Sequence, residues 1–153
     1  MLGFHTPARF DKIIDVQHCH LQAEPSNEIR LFVRDYGRAH GLQFGNMVRQ
    51  TGNLRNLIIR TAQSTGEIMV ILQCYRPHES IEPLLDALYA KFPGITSLNY
   101  VLNNKGNETF HDLEVVNYKG KPYIERKWKA CASASAPSPS TKPTPKVPIS
   151  STK

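Results

Sequence analysis

A chain of 153 residues, 40% of them hydrophobic, is long enough for one core of ordinary size, so a single domain is expected. The net charge of +6 would suggest an anionic partner, but Lys127, Lys129, Lys142, Lys146 and Lys153 carry five unopposed charges beyond residue 126; the remaining 14 Lys and Arg face 13 acids, so bulk charge is no argument that residues 1–126 bind nucleic acid. Cys19, Cys74 and Cys131 are odd in number and widely spaced, unlike a disulfide framework, and with no leading signal peptide and no apolar run of membrane-spanning length a soluble, reducing, cytoplasmic setting is expected, with no membrane partner.

Leu2-Gly3-Phe4-His5, a turn at Thr6-Pro7-Ala8 and residues 12–16 read as a hairpin or a pair of short strands. Two strands alone are marginal in water, so either later strands cover them or more sequence once preceded them. Pro25-Ser26-Asn27 then starts a helix, with Ser or Asn available to cap free N–H groups. Ile29, Phe32, Val33 and Tyr36 form its buried stripe, Arg30, Arg34 and Arg38 lie on the other side, and Gly41 is a natural stop. Residues 54–61 and 67–73, around a loop ending in Gly66, make the strongest hairpin; its second arm is apolar on both faces and belongs at the centre of a sheet. A second helix is expected from about Ser80 to Phe92, with Ile81, Leu84, Leu85 and Leu88 buried and Pro93-Gly94 ending it. Residues 95–103 form a further strand, and 113–118 with 122–124 a last hairpin turning at Lys119-Gly120-Lys121. The order ββ-α-ββ-α-βββ predicts an α+β domain over residues 1–126, with two helices packed on one face of a mostly antiparallel sheet.

Self-contained chemistry is sparse. In His18-Cys19-His20 an extended segment would place the two imidazoles on one face and the thiol on the other. Cys74 and Cys131 supply no zinc-ligand spacing, and residue type alone favours a structural or solvent-exposed role. A Cys–His nucleophile lacks a third orienting group. Arg55 and Arg60, with Asn56 between them, flank the Leu57-Ile58-Ile59 core of a strand, where arginines on an open sheet face can grip phosphate bidentately. The alternative is a solvated face paired with acids such as Glu67. Phe4, Phe32, Tyr36, Tyr89 and Phe92 sit mostly at stripe positions, as core rather than base-stacking residues. No phosphate-binding glycine loop, nucleophile elbow or HExxH helix is present in the sequence.

The run Leu2-Gly3-Phe4-His5 … Arg9-Phe10-Asp11-Lys12-Ile13-Ile14-Asp15-Val16 … Cys19, followed by Leu54-Arg55-Asn56-Leu57-Ile58-Ile59-Arg60 and Tyr118-Lys119-Gly120-Lys121-Pro122-Tyr123-Ile124, resembles the central domain of S-adenosylmethionine-dependent RNA uracil-5 methyltransferases of the RumA/TrmA type. The similarity covers most of residues 2–126. It implies a larger enzyme acting on rRNA or tRNA, with an N-terminal RNA-binding barrel and a C-terminal methyltransferase domain that carries the catalytic Cys, the carboxylate and the cofactor site. None of those three can be carried onto a residue of this chain, so no catalytic and no cofactor-binding residue is expected here. In cluster-containing members a [4Fe–4S] centre takes its fourth Cys from the segment matching Cys19, the other three lying upstream. The resemblance therefore implies that Cys19 is a ligand only in a longer parent, and it makes Arg55, Asn56 and Arg60 the expected RNA contacts.

Residues 127–153 contain no acid and consist mostly of Ala, Ser, Pro, Thr and Lys, as a disordered linker would. Synonymous codons also allow Trp128–Lys153 to be encoded by DNA whose neighbouring frame reads MEGLRFSISAKSFYQTNSEGAYQLYK. That string is similar to the family's next segment, with its SFxQxN motif, so a one-base slip after Lys127 is expected over an evolved tail. Two functions remain open at this stage. One is a truncated, non-catalytic piece of a uracil-5 methyltransferase that contacts RNA. The other is a stand-alone α+β interaction module for RNA or protein, with a flexible basic tail.

Overall fold

A computed structural model describes residues 2–46, 48–107 and 109–125; the expected tail at 127–153 lies outside the described residues. Strands β1 (Phe4–Thr6) and β2 (Arg9–Ile14) pair antiparallel as a separate two-stranded sheet, and helix α1 spans Ser26–Ala39. Then follow β3 (Leu54–Ala62), β4 (Glu67–Cys74), α2 (Ile81–Lys91), β5 (Ile95–Leu102) and β6 (Val115–Gly120). The second sheet has the order β3-β4-β5-β6.

The β3–β4 hairpin turns where expected, Gly66 adopting φ +73° and donating its N–H to the Ala62 carbonyl. Every residue of β4 from Ile68 to Cys74 is buried, as its two apolar faces require. β4 and β5 run parallel, joined by α2 as a crossover, while β3–β4 and β5–β6 are antiparallel. The architecture is α+β with a mostly antiparallel four-stranded sheet. Both helices share one face of it: Ile29 and Val33 from α1 and Ile81, Leu84, Leu85 and Leu88 from α2 join Val70, Leu72 and Leu98 in the main core. Met69, Ile71 and Val101 point to the other face, where Ile58, Phe110, Leu113, Val115 and Ile124 cover them.

Three expectations need correction. β2 begins at Arg9 and ends at Ile14 instead of spanning 12–16, because Ala8 turns the chain tightly at φ 62°. The cap of α1 is not made by a side chain: Pro25 occupies the N-cap position, and the Asn27 amide is spent on the backbone of Cys19. The last hairpin does not form. Gly120, at φ +82°, sends the chain across Thr96, whose carbonyl accepts the Lys121 N–H, and residues 121–125 run on to the β3–β4 turn. There the Thr65 hydroxyl donates to the Glu125 carbonyl at 2.6 Å and the Lys121 ammonium meets Glu67 at 3.1 Å.

Candidate nucleic-acid interface

β3 is an edge strand of its sheet, and it carries all three expected RNA contacts. Leu57 and Ile59 pack toward the helices and Ile58 toward the opposite core, so alternation puts Asn56 and Arg60 on the face away from the helices. Arg60 is exposed, opposite Met69 in the ladder, and among the described residues no acid pairs with it. Glu67, considered as its partner, is taken by Lys121 and the Glu125 N–H, which together hold its carboxyl below the ordinary range. Asn56 is half-buried, and its amide donates to Gln73 at 3.4 Å.

Arg55 behaves differently. It is only 8% exposed, and its guanidinium donates to the carbonyls of Asn103 at 3.0 Å, Lys105 at 2.6 Å and Asn107 at 2.6 Å. It also lies 4.7 Å above the Tyr75 ring. Asn103, itself fully buried, closes the same loop by accepting the Lys105 N–H and donating to the carbonyls of Asn107 and Thr109. Arg55 therefore holds the β5–β6 connection in place, while Arg60 stays at the surface.

Of the three arginines of α1, set opposite the buried stripe, Arg38 is exposed but the other two are not. Arg30 and Arg34 are 5% and 8% exposed, because the end of β2 and the following loop cover that side of the helix. Arg34 donates to Asp15 at 2.7 Å and to Asp35 at 2.8 Å, and Arg38 reaches Asp15 at 3.4 Å. These bonds hold the carboxyls of Asp15 and Asp35 below their ordinary values. Arg30 donates to the Gln17 carbonyl at 3.2 Å and lies 5.3 Å above the Phe4 ring. The polarity of an arginine-rich helix face hid this burial. Asp15, the acid that directly follows β2, was the signal for it.

His18 and His20 do share a face, their rings 4.5 Å apart edge to face, although the segment is not a strand. Cys19 is half-buried, and its backbone N–H and carbonyl are both gripped by the Asn27 amide at 2.9 and 3.1 Å. Cys74 is fully buried, and its thiol is pushed up to about 12 by desolvation, which removes it as a thiolate ligand. Cys131 lies outside the described residues. Among the described residues no group of three or more His, Cys, Asp and Glu could hold a metal ion. A four-thiolate iron–sulfur cluster therefore does not fit the donors among the described residues, where Cys19 is the one accessible thiol.

A cleft of about 270 Å³ opens between the β1–β2 hairpin and β3, with Arg30, Arg55 and Gln22 among apolar walls. Phe32, Tyr36, Tyr89 and Phe92 pack against the main core, as expected, but Phe4 faces this cleft.

An RNA methyltransferase of Bacteroides thetaiotaomicron, itself uncharacterized, is 48% identical over 127 residues, which are 80% of this chain and 28% of that protein. A similarly named protein of Porphyromonas gingivalis is 47% identical over 127 residues, 81% of this chain and 27% of its own length. Across four-fifths of its length this chain is similar to RNA methyltransferases. It spans just over a quarter of the curated relatives it matches. The crystal structure of Pyrococcus abyssi tRNA (uracil-54, C5)-methyltransferase in complex with S-adenosyl-L-homocysteine shares this fold: its TM-score is 0.62 at 20% identity, over 82% of this chain and 29% of that one. No family model matches the chain. Among the described residues no helix is long and apolar enough to cross a membrane.

Proposed function

We propose that this domain supplies substrate-RNA contacts within an RNA (uracil-5-)-methyltransferase of rRNA or tRNA, and that methyl transfer from S-adenosylmethionine is carried out by a domain beyond these residues. The observation that carries the reading is the 48% identity to an RNA methyltransferase of which the chain matches only 28%. The exposed, acid-free setting of Arg60 on the edge strand supports it. A barrel domain before residue 1 and a methyltransferase domain after residue 126 would be the partners, working in the cytoplasm. Cys19 would serve a [4Fe–4S] cluster only as a fourth ligand beside three thiolates from outside. Residues 127–153 would be an out-of-frame reading of the next segment, and the coding DNA tests that: codons incompatible with the neighbouring-frame string remove the idea.

The functional test is direct. Purified chain should bind rRNA or tRNA fragments in a filter assay, lose affinity on Arg60→Ala, show no heat of binding with S-adenosylmethionine and transfer no methyl group. Tight cofactor binding would overturn the division of labour. The stand-alone module with a basic tail would be favoured instead if RNA binding vanished on removal of residues 127–153.

A further inference from the structure

The two guanidiniums bordering the cleft are unusual in what they lack. Arg30 is 5% exposed, and its Nε and Nη1 are buried with no hydrogen-bond partner among the described residues. Its remaining nitrogen donates only to the Gln17 carbonyl and, at 3.4 Å, to the Asn27 amide oxygen. Arg55, 8% exposed, has a buried Nε with no partner, and all its other bonds go to neutral carbonyls. Neither arginine has an acidic partner among the described residues, in contrast to Arg34 about one turn further along the same helix, which has two. Gln22 adds a buried amide oxygen without a donor.

Two buried cations without a counter-ion are costly, since buried charges are ordinarily paired. The space beside them is about 270 Å³, many times the ~30 Å³ share of one liquid water and close to the lower limit of ligand pockets, about 300 Å³. Its apolar walls include Phe4, Phe44 and Leu57. Guanidinium groups and aromatic rings lining one small cleft match the two parts of a nucleotide: a phosphate that guanidinium groups recognise and a base whose flat face packs on aromatic rings.

We propose that the cleft between the β1–β2 hairpin and β3 seats one unpaired nucleotide of RNA, its phosphate compensated by Arg30 and Arg55 and its base against Phe4 and Phe44. This rests on the RNA-binding reading above and gives it a second contact, apart from Arg60.

The test uses the full chain with uridine 5′-monophosphate as probe, uridine and inorganic phosphate as its separated halves, and NMR of the arginine Nε–H signals. The nucleotide should move the Arg30 signal and bind at least about tenfold more tightly than either half. Arg30→Gln should weaken it about tenfold or more, and Phe44→Leu, which keeps an apolar wall, several-fold. Circular dichroism identifies any variant that fails to fold, and the wild-type Arg30 signal then decides alone. An unmoved Arg30 signal, or unchanged affinity in a folded Arg30→Gln chain, overturns the proposal. So does tighter binding of N-acetylglutamate than of the nucleotide, which would assign the cleft to a protein carboxylate. If oligouridine binds through Arg60 while the mononucleotide leaves Arg30 untouched, the cleft proposal falls and the RNA reading stands. If the mononucleotide binds at Arg30 but no RNA binds, the RNA reading falls and takes RNA as occupant with it.

Discussion

At the scale of single residues, arginine has three distinct uses in this domain, separated by what each guanidinium meets. Arg34 meets carboxylates, Arg55 meets carbonyls, and Arg60 is exposed at the surface. The first pairing makes stability depend on pH. The Arg34 hydrogen bond is the largest cause lowering Asp15, so its folded value lies below its unfolded one. The stabilisation is then fully present above the ordinary carboxylate range and fades as pH falls through the lowered value. Asp15→Asn should accordingly lower the urea midpoint at neutral pH while leaving it nearly unchanged at low pH, which flattens the acid limb of the profile; an unchanged acid limb would show that the hairpin is not tied to α1 through this pair. Arg55 predicts a larger loss. Its three charged hydrogen bonds are made in a buried setting, so Arg55→Met should cost about 2–3 kcal/mol in denaturant unfolding. Faster amide exchange should be confined to residues 103–107, and uniform loosening would contradict the clamp.

At the scale of elements, the helices and the central strand were legible because burial imposes a period on them. Ile81, Leu84, Leu85 and Leu88 recur as a helix face must, and all four are buried; Leu85→Ala, at a site with no exposure, should cost about 2–5 kcal/mol by thermal or urea unfolding. The parallel pairing of β4 with β5 was not legible in the same way. Periodicity marks which residues are apolar, while strand direction follows from α2 crossing back over the sheet. The final turn misled for a related reason. Lys119-Gly120-Lys121 has the composition of a hairpin, but Gly120 uses its φ of +82° to lay the chain against Thr96, and a Cβ there would sit 2.2 Å from the Thr96 carbonyl oxygen. Gly120→Ala should therefore destabilise the domain by more than the ~1 kcal/mol that the same change gains at a compatible site, and should release residues 121–125 to limited proteolysis.

At the scale of the whole molecule, the candidate interface was half legible. The sequence placed Arg55, Asn56 and Arg60 together beside the apolar core of one strand, but it could not separate exposed Arg60 from buried Arg55, because the loop that captures Arg55 lies about fifty positions away in the chain. Arg30 and Gln22 were missed altogether, since their setting depends on a hairpin folding over α1. What distinguishes a domain that grips RNA from one merely trailing a cationic tail is where the released counter-ions come from. For single strands the logarithm of affinity falls with the logarithm of salt at a slope of about −0.7 per neutralised phosphate. The segment from 127 to 153 holds five lysines, so a tail-driven interaction should lose most of its slope, and its affinity, when that segment is removed. Binding by the domain itself predicts the opposite: a chain ending at residue 126 keeps measurable affinity for single-stranded RNA, and Arg60→Ala in that shortened chain lowers the slope by roughly one phosphate's worth. Filter binding across a salt series reads both quantities at once, and a shortened chain with no affinity at low salt would remove the RNA-facing role from the folded domain.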